Sequence, residues 1–411
     1  MDCINNKKKY RVVYIIIFFF LFPFLSLPIL FKEIYNGKNY PLILIAIFMG
    51  GLSMFYFPFG DQYRYFTDIE TDKYLSFDEK FDFDSFMIFR ELNIVNIMAF
   101  VYAKANLTVE ILRFTLIFIS CTLIFSVFVD LKQHYDLQKS RNKLFVIFLI
   151  LLLSVPYFLI SYGLRNGFGS CILAYGVYEM FVKNKFKIGF FYFILATLVH
   201  YFFIIHTILF SLVYVTRIYL NRNSAIMLSI LMYFCSMSLF SILQGRLEFL
   251  DAILDSYVYG DKYGADSFNW FSPKVKILWF NGIINTVVLF YVFLKLNHKG
   301  KYENVVYILL ILCIFTIPFT TFFQRTIRSS VPIIAIYLVL HYKYKVVYKA
   351  KYLMLMFQLI AFLYPFWIYR VQYKFARLDK IIYSSLPVIL TNHYDEKTVS
   401  MKVGPDGLWY E

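Results

Sequence analysis

The chain has 411 residues, of which 60% are hydrophobic and only 16% are charged, and its formal net charge is +15. A typical soluble domain is about 45–50% apolar and about 25% charged. This composition therefore excludes a soluble enzyme, a disordered chain and a fibrous repeat, and it indicates an all-α polytopic integral membrane protein. In such a protein Lys and Arg report topology first, so we predict no nucleic-acid partner.

The chain begins with a basic segment that leads into an apolar run, as a signal peptide does, but no small-residue cleavage site follows. We therefore predict a retained first helix over residues 12–31. A bilayer core of about 30 Å takes about 20 helical residues to cross, and this length predicts about twelve transmembrane helices in all. The further predicted spans are 41–59, 109–129, 144–162, 164–182, 188–200, 201–219, 224–243, 276–295, 304–323, 329–342 and 352–369. The stretch 188–219 is either two short helices or one helix broken at His200.

These spans predict a single transmembrane domain over residues 1–370, followed by a polar C-terminal tail over 371–411. Two long polar loops, 60–108 and 244–275, interrupt the domain. Within the first loop, the segment 85–106 is partly apolar but holds charged and amide side chains that are costly at the bilayer centre. We predict that it forms an amphipathic helix at the membrane interface.

Basic residues are concentrated in alternate short connections between the spans, and the positive-inside rule makes that side cytoplasmic. The two long loops then face outward. The N-terminal lysines disagree, because twelve spans would put them outside, and the side of the N-terminus stays open. The basic connections contain Lys132, Lys139, Arg141, Lys143, Lys183, Lys185, Lys187, Arg217, Arg222, Lys295, Lys299, Lys301, Lys343, Lys345, Lys349 and Lys351.

A few ionisable and amide side chains lie at the predicted outer ends of helices. Arginines near membrane depth have to find anions or carbonyls, and a guanidinium matches phosphate oxygens in a bidentate manner. Three arginines in one outward cavity would suit a lipid-linked diphosphate, although each could instead snorkel to headgroups. The set comprises Asp61, Arg165, Asn166, His200, Gln324, Arg325 and Arg328.

Two members of this set could accept a proton from an attacking hydroxyl group, namely His200 and Asp61. Tyr63, Tyr65 and Tyr201 could stack on sugar faces, or they could belong to an aromatic belt at the membrane interface. No carboxylate cluster on the helices indicates a metal site, so neither a metal nor a cofactor is predicted. The histidine also has an ordinary alternative as a packed, hydrogen-bonded core residue.

The order and spacing of several short motifs over about residues 60–330 resemble the EpsG-like branch of the Wzy-type polysaccharide polymerases. These are membrane enzymes of O-antigen, capsule and exopolysaccharide assembly. Two residues depart from the usual pattern, because the family often has Gln where this chain has Asn166 and a polar or small residue where it has Tyr201. The motifs are Gly60-Asp61 with Tyr65, Arg165-Asn166-Gly167, the Lys-rich loop Lys183–Lys187, Ala196 with His200, and Arg325 with Arg328.

The resemblance implies a multi-pass glycosyltransferase of the bacterial cytoplasmic membrane, for which a GT-C-like helical architecture is an option. Its substrate would be an oligosaccharide linked to undecaprenyl diphosphate, and its partners would be the lipid bilayer and the flippase and chain-length regulator of the same pathway. Arg165, Arg325 and Arg328 would stabilise the diphosphate, and His200 or Asp61 would activate the acceptor. Gln324, Asn166 and the three tyrosines would contact the substrate.

Two other classes of membrane protein stay open at this stage. A lipid-linked oligosaccharide flippase would need internal repeats and ionisable residues near the midplane, and the sequence has neither. An O-antigen ligase or another membrane glycosyl or acyl transferase would also use outward Arg and His, so the sequence separates it poorly from a polymerase.

Overall fold

A computed structural model describes residues 2–58, 61–81, 93–134, 140–216, 219–243, 283–368 and 378–403. Over these ranges the chain forms helices and turns without a strand, which confirms the all-α prediction for the described residues. Three helical stretches of the described residues are long and apolar enough to cross a membrane, namely Val109–Gln133, Arg141–Gly163 and Lys345–Phe366. The second of them is interrupted at residues 155–156 and comprises the helices Arg141–Ser154 and Tyr157–Gly163.

This number is lower than the twelve predicted spans because many of the apolar helices are short. Six of them have only 10–17 residues, which corresponds to about 15–26 Å at 1.5 Å per residue and is less than a bilayer core. They are Tyr10–Leu21, Tyr40–Ser53, Ile94–Lys104, Phe186–Val199, Tyr201–Thr216 and Ile284–Leu296.

The chain divides into two compact units, each built from segments that are not contiguous in sequence. The first unit comprises residues 1–168, 198–201 and 369–411, and the second comprises 169–197 and 202–368. Helices of the first unit are α1 (Asp2–Leu21), α2 (Pro23–Tyr35), α3 (Tyr40–Ser53), α4 (Asp61–Asp72), α5 (Phe77–Lys80), α6 (Ile94–Lys104), α7 (Val109–His134), α8 (Arg141–Ser154) and α9 (Tyr157–Gly163).

The C-terminal segment of the first unit, which was predicted as a polar tail, also forms short helical elements. They are a 3₁₀ turn (Leu378–Ile382), α18 (Leu386–Leu390) and α19 (Glu396–Ser400). The second unit holds most of α10 (Arg165–Val177), a π turn (Tyr178–Val182), most of α11 (Phe186–Val199), a 3₁₀ turn (Tyr201–Phe203), α12 (Ile204–Thr216), α13 (Arg222–Leu243), α14 (Ile284–Leu296), α15 (Lys301–Phe315), α16 (Thr320–Leu340) and α17 (Lys345–Ile368).

The N-terminal segment forms a helical hairpin, so the prediction of one continuous helix over 12–31 is wrong. Helix α1 ends at Leu21 and α2 begins at Pro23, a residue that is favoured in the first turn of a helix. Arg11 Nη2 lies 2.5 Å from Glu33 Oε1. In one straight helix these residues would be about 33 Å apart, so the contact requires α1 and α2 to run antiparallel.

Helix α2 ends in a glycine turn that leads the chain into α3. Gly37 has a φ of 80°, a left-handed conformation that costs little without a Cβ atom. Its N–H donates to Ile34 O, and the next N–H, of Lys38, donates to Glu33 O. This is the Schellman pattern, and it stops the helix beside the basic residues of the loop.

One end of the first unit, the end with Lys132, is basic. The ammonium group of Lys132 donates to Asn39 Oδ1 at 2.6 Å and to Gly37 O, so the end of α7 lies beside the start of α3. Since Glu33 is four residues before Gly37 and pairs with Arg11, the N-terminal basic segment belongs to this end too. We call it the basic end of the first unit, and we call the opposite end, where α3 ends and α7 begins, its polar end.

Considered by itself, the second unit also has one basic end. Tyr302 donates to Ile333 O at 2.8 Å and Tyr337 donates to Glu303 at 3.1 Å, whereas Cys313 lies 3.6 Å from Ser330. These pairs make α15 and α16 antiparallel. The basic connections at Lys301 and Lys343 therefore share one end, and the first turns of α16 lie at the other.

The sequence left two alternatives open for the stretch 188–219, and the structure forms it as two short helices. Helix α11 ends at Val199, the 3₁₀ turn follows His200, and α12 begins at Ile204. Of the predicted interfacial segment 85–106, the part from 94 to 104 is helical, and 82–92 lies outside the described residues. The predicted loop 244–275 also lies outside them.

The hairpin gives a topology prediction. In a cysteine-free background, we expect Asn6→Cys and Lys38→Cys to resist a membrane-impermeant maleimide in intact cells. Both positions belong to the basic end, which the positive-inside rule predicts to be cytoplasmic. Thr391→Cys, which is exposed in the C-terminal segment, should be labelled. Labelling of Asn6→Cys together with Thr391→Cys would contradict the hairpin.

Candidate functional site

The turn after α3 is held by side chains from distant parts of the chain. A helix end leaves carbonyl groups without intrahelical partners, and Met54, Phe55 and Tyr56 of this turn are fully buried. Asn392 donates to Met54 O at 2.8 Å and Tyr394 donates to Phe55 O at 2.7 Å. The C-terminal segment therefore caps the polar end of the first unit.

Arg113 satisfies the third carbonyl and connects the turn to α4. Its side chain is fully buried, one turn inside α7. Nη2 donates to Tyr56 O at 2.9 Å, and Nη1 donates to Gln62 Oε1. Because Gln62 follows Asp61, this one guanidinium fixes the segment that positions Asp61 against the end of α3.

Glu110 provides a buried countercharge near this arginine. It is fully buried and precedes Arg113 by three residues on α7, so both side chains share one face of the helix. Sequence reasoning missed the pair because residues 109–129 were predicted as an ordinary apolar span. The signal was present, since an ionisable residue inside an apolar span is by default a candidate functional residue.

Three tyrosines surround the same end. The ring of Tyr56 stacks on Tyr162 at 6.1 Å and meets Tyr157 edge-on at 6.0 Å. Both partners lie on α9, whose last residue, Gly163, precedes Arg165 by two positions. The contacts therefore bring the start of α10 to the polar end of the first unit.

The junction between α9 and α10 is sharp and tightly packed. Leu164 has a φ of 43°, an uncommon conformation for a residue with a Cβ atom that is found where the surroundings impose it. A Cβ atom added to Gly167 would lie 2.7 Å from Ile160 N, so only glycine permits this close approach. Arg165 is thereby placed by backbone geometry at the first position of α10.

Most of the predicted site residues belong to the first unit. Arg165 is half-buried and Asn166 is buried at the start of α10. His200 is buried at the break after α11, and its ring centre lies 5.0 Å from that of Tyr201, which is half-buried. Asp61 is the first residue of α4, but its side chain lies outside the described ones.

The two tyrosines of α4 differ in exposure. Tyr63 is half-buried, whereas Tyr65 is only 1% exposed. The ring of Tyr65 therefore lies in the core and is not accessible to a sugar in this conformation, and Tyr63 and Tyr201 are the two that could line a binding surface.

The remaining predicted residues belong to the second unit. Gln324, Arg325 and Arg328 are half-buried in the first turns of α16, and the two arginines share a face. Phe322 of the same helix packs edge-on against Phe202 at 5.4 Å. The arginines therefore lie at the end of the second unit opposite Lys301, next to the start of α12.

Electrostatics also stabilise the region that follows Asp61. Lys80 Nζ lies 2.9 Å from Asp72 Oδ1 and 3.7 Å from Asp68 Oδ1, which joins α5 to α4. Burial raises the pKa of Asp68 above its ordinary value, and the nearby ammonium group of Lys80 opposes that shift. Within the described ranges, no three His, Cys, Asp or Glu side chains converge as metal ligands.

No protein-family model, no curated protein and no solved structure matches the chain. The class of protein is therefore defined by the structure alone. The described residues form an all-helical protein with three helical stretches that are long and apolar enough to cross a membrane.

The capping bonds predict a measurable loss of stability. Tyr394→Phe keeps the ring, which packs on Phe57 at 4.9 Å, but leaves a buried carbonyl unpaired, so we expect a cost of about 1–3 kcal/mol. The measurement is thermal unfolding of the purified protein in detergent. Tyr383→Phe, at a position that is 62% exposed in the same segment, is the matched control, and equal melting temperatures for the two variants would contradict the role of the cap.

Proposed function

We propose that the protein is an oligosaccharide repeat-unit polymerase of the outer face of the bacterial cytoplasmic membrane. A hydroxyl oxygen at the non-reducing end of one lipid-linked repeat unit attacks the anomeric carbon of a growing glycan on undecaprenyl diphosphate. The new glycosidic bond forms as the bond to the diphosphate oxygen breaks, and the hydroxyl proton passes to a base on the protein. The proposal rests on the motif order in the sequence and on the geometry of the helix breaks.

The coincidence of helix breaks with predicted site residues is the observation that favours this function most. In the first unit the chain breaks before Asp61, before Arg165 and at His200. Non-helical backbone at membrane depth is tolerated only where protein buries it or where it lines a water-filled cavity. Breaks of this kind form substrate sites in other membrane proteins, and here each one is flanked or occupied by a residue with the required chemistry.

Arg325 and Arg328 offer positive charge of the kind that a leaving diphosphate needs. Arg325 and Arg328 lie one turn apart on α16, where their forked guanidinium groups suit two phosphate groups of one ligand. Arg165 opens α10, and the N-terminal end of a helix also favours an anion. Fixed positive groups of this kind stabilise negative charge that develops in the transition state.

The acceptor hydroxyl requires a proton acceptor, and the first unit offers two. His200 lies at the break after α11, where the imidazole of a neutral histidine has one nitrogen able to accept a proton. Asp61 begins α4, and Arg113 positions it through Gln62 and Tyr56. Arg113 is a positioning residue in this scheme, because it acts through the segment that it holds.

The proposal predicts a selective loss of long chains. In cells that lack the native gene, we expect Arg165→Ala, Arg325→Ala and His200→Ala to insert normally but to leave mainly single repeat units. Loss of a general base at His200 costs about 10²–10⁴-fold in rate, and loss of one group that stabilises the charge of the transition state costs about 10²–10³-fold. The measurement is the chain-length ladder of the surface glycan after electrophoresis.

Arg222→Ala is the matched control for the arginine variants. Leu220 N–H donates to Asn304 Oδ1 at 2.8 Å, which places Arg222 at the basic end of the second unit, so this variant should give a full ladder. Full ladders from Arg165→Ala and His200→Ala would contradict the assignment. Accumulation of unattached long chains on gene deletion would instead indicate a ligase, and inward-trapped precursor would indicate a flippase.

A further inference from the structure

A cavity of about 310 Å³ lies at the polar end of the first unit, between α4, the start of α7 and the C-terminal segment. Its floor is apolar and includes Phe66 and Val109, both of which are buried. Its rim is polar and contains Glu70, Lys73, His393 and Glu396. The volume is at the lower limit of ordinary ligand sites, which span about 300–1,000 Å³.

The rim is built by residues that have fixed positions. Tyr394, which lines the cavity, is held by its hydrogen bond to Phe55 O. Asp395 caps α19 by accepting a hydrogen bond from Thr398 N–H at 2.7 Å, and this bond lowers the pKa of the carboxyl group. On the opposite wall, Lys73 pairs with Glu70 at 2.6 Å.

The charges of the rim select against several classes of ligand. An anion would meet three carboxylates, from Glu70, Asp395 and Glu396, against one lysine that is already paired. An apolar ligand would strip water from these charges without giving hydrogen bonds in return, which is costly. A divalent cation lacks a ligand set among the described residues.

A neutral ligand with many hydroxyl groups fits both parts of the cavity. Its hydroxyls would donate to the carboxylates and accept from Lys73 and Thr108, and its C–H faces would pack on the apolar floor. The side chains of Glu70 and Lys73 are 36% and 27% exposed, so the rim is accessible from solvent. These are the features of a site for a sugar.

The cavity also has a defined place relative to Asp61. Phe66, Ile69 and Glu70 follow Asp61 along α4 and form one face of that helix, and Lys73 comes directly after its last residue. At 1.5 Å per residue, Glu70 is about 14 Å farther along the axis than Asp61. A glycan of several sugars could therefore reach from one to the other.

We infer that this cavity, lined by Glu70, Lys73, Thr108, His393, Asp395 and Glu396, is a subsite that binds the incoming oligosaccharide one or more sugars away from the reacting hydroxyl. The inference rests on the proposed polymerase function. It adds a role for the C-terminal segment, which holds half of the rim.

The test uses the full chain in lipid nanodiscs and the double variant Glu70→Gln/Glu396→Gln, which keeps the side-chain sizes but removes two carboxylates. The substrate is the lipid-linked repeat unit extracted from cells that lack the gene. Since a hydrogen bond to a charged group contributes about 1.5–3 kcal/mol, we expect KM for the repeat unit to rise at least tenfold while kcat stays within about twofold. Asp78→Asn, an exposed carboxylate of α5 outside the cavity, should leave both constants unchanged.

A binding measurement separates failure of the subsite from failure of the proposed function. The probe is a water-soluble oligosaccharide released from the organism's surface glycan by mild acid, followed by saturation-transfer NMR with the same proteins. Binding to the wild type that is lost in the double variant supports the subsite even if the wild type extends nothing, a result that would overturn the polymerase alone. A double variant with wild-type KM and wild-type binding would overturn the subsite.

Discussion

Arg113 is a full charge placed where water cannot reach it, and the polar end of the first unit is arranged around that constraint. A buried guanidinium has to find acceptors in the protein, and Arg113 finds the carbonyl of Tyr56 and the side chain of Gln62. These two partners lie on either side of the break between α3 and α4. Arg113 therefore holds the first turn of α4, through Gln62, against the end of α3.

The C-terminal segment completes this arrangement from the far end of the sequence. Asn392 and Tyr394 satisfy carbonyls that lie 338 and 339 residues earlier in the chain. Unpaired, those buried carbonyls would each cost about 1–3 kcal/mol. The same segment then provides one wall of the cavity beside α4. Tyr394 therefore has two roles in this region, because it caps the turn after α3 and also lines the proposed sugar-binding cavity.

Local patterns in the sequence predicted the helical class, because apolar runs are visible within a few residues. They left two alternatives for the stretch 188–219, which the structure forms as two short helices. They did not predict the N-terminal hairpin, which depends on a contact between Arg11 and Glu33 across the tip at Pro23. Nor did they predict the number of long helices. Apolar segments that look continuous in the sequence are divided in the structure by breaks in the helix, so the helices are shorter than the segments.

The candidate site was predictable only in part for the same reason. Asp61, Arg165 and His200 stand out because each follows an apolar run and adjoins a helix end. Arg113 does not, since it lies within an apolar span and its partners are 51 and 57 residues away. Tyr65 was predicted as a substrate contact because it belongs to a sequence motif. Its position on α4 directs the side chain into the core, where it is 1% exposed.

Reconstitution tests the central claim most directly. Purified protein in nanodiscs is supplied with lipid-linked repeat units as the sole substrate, and the glycans and the released lipid are measured together. A ladder of chains spaced by one repeat unit, with one undecaprenyl diphosphate released for each bond formed, is the predicted result. Unchanged single repeat units in the presence of inserted, folded protein would contradict the polymerase function.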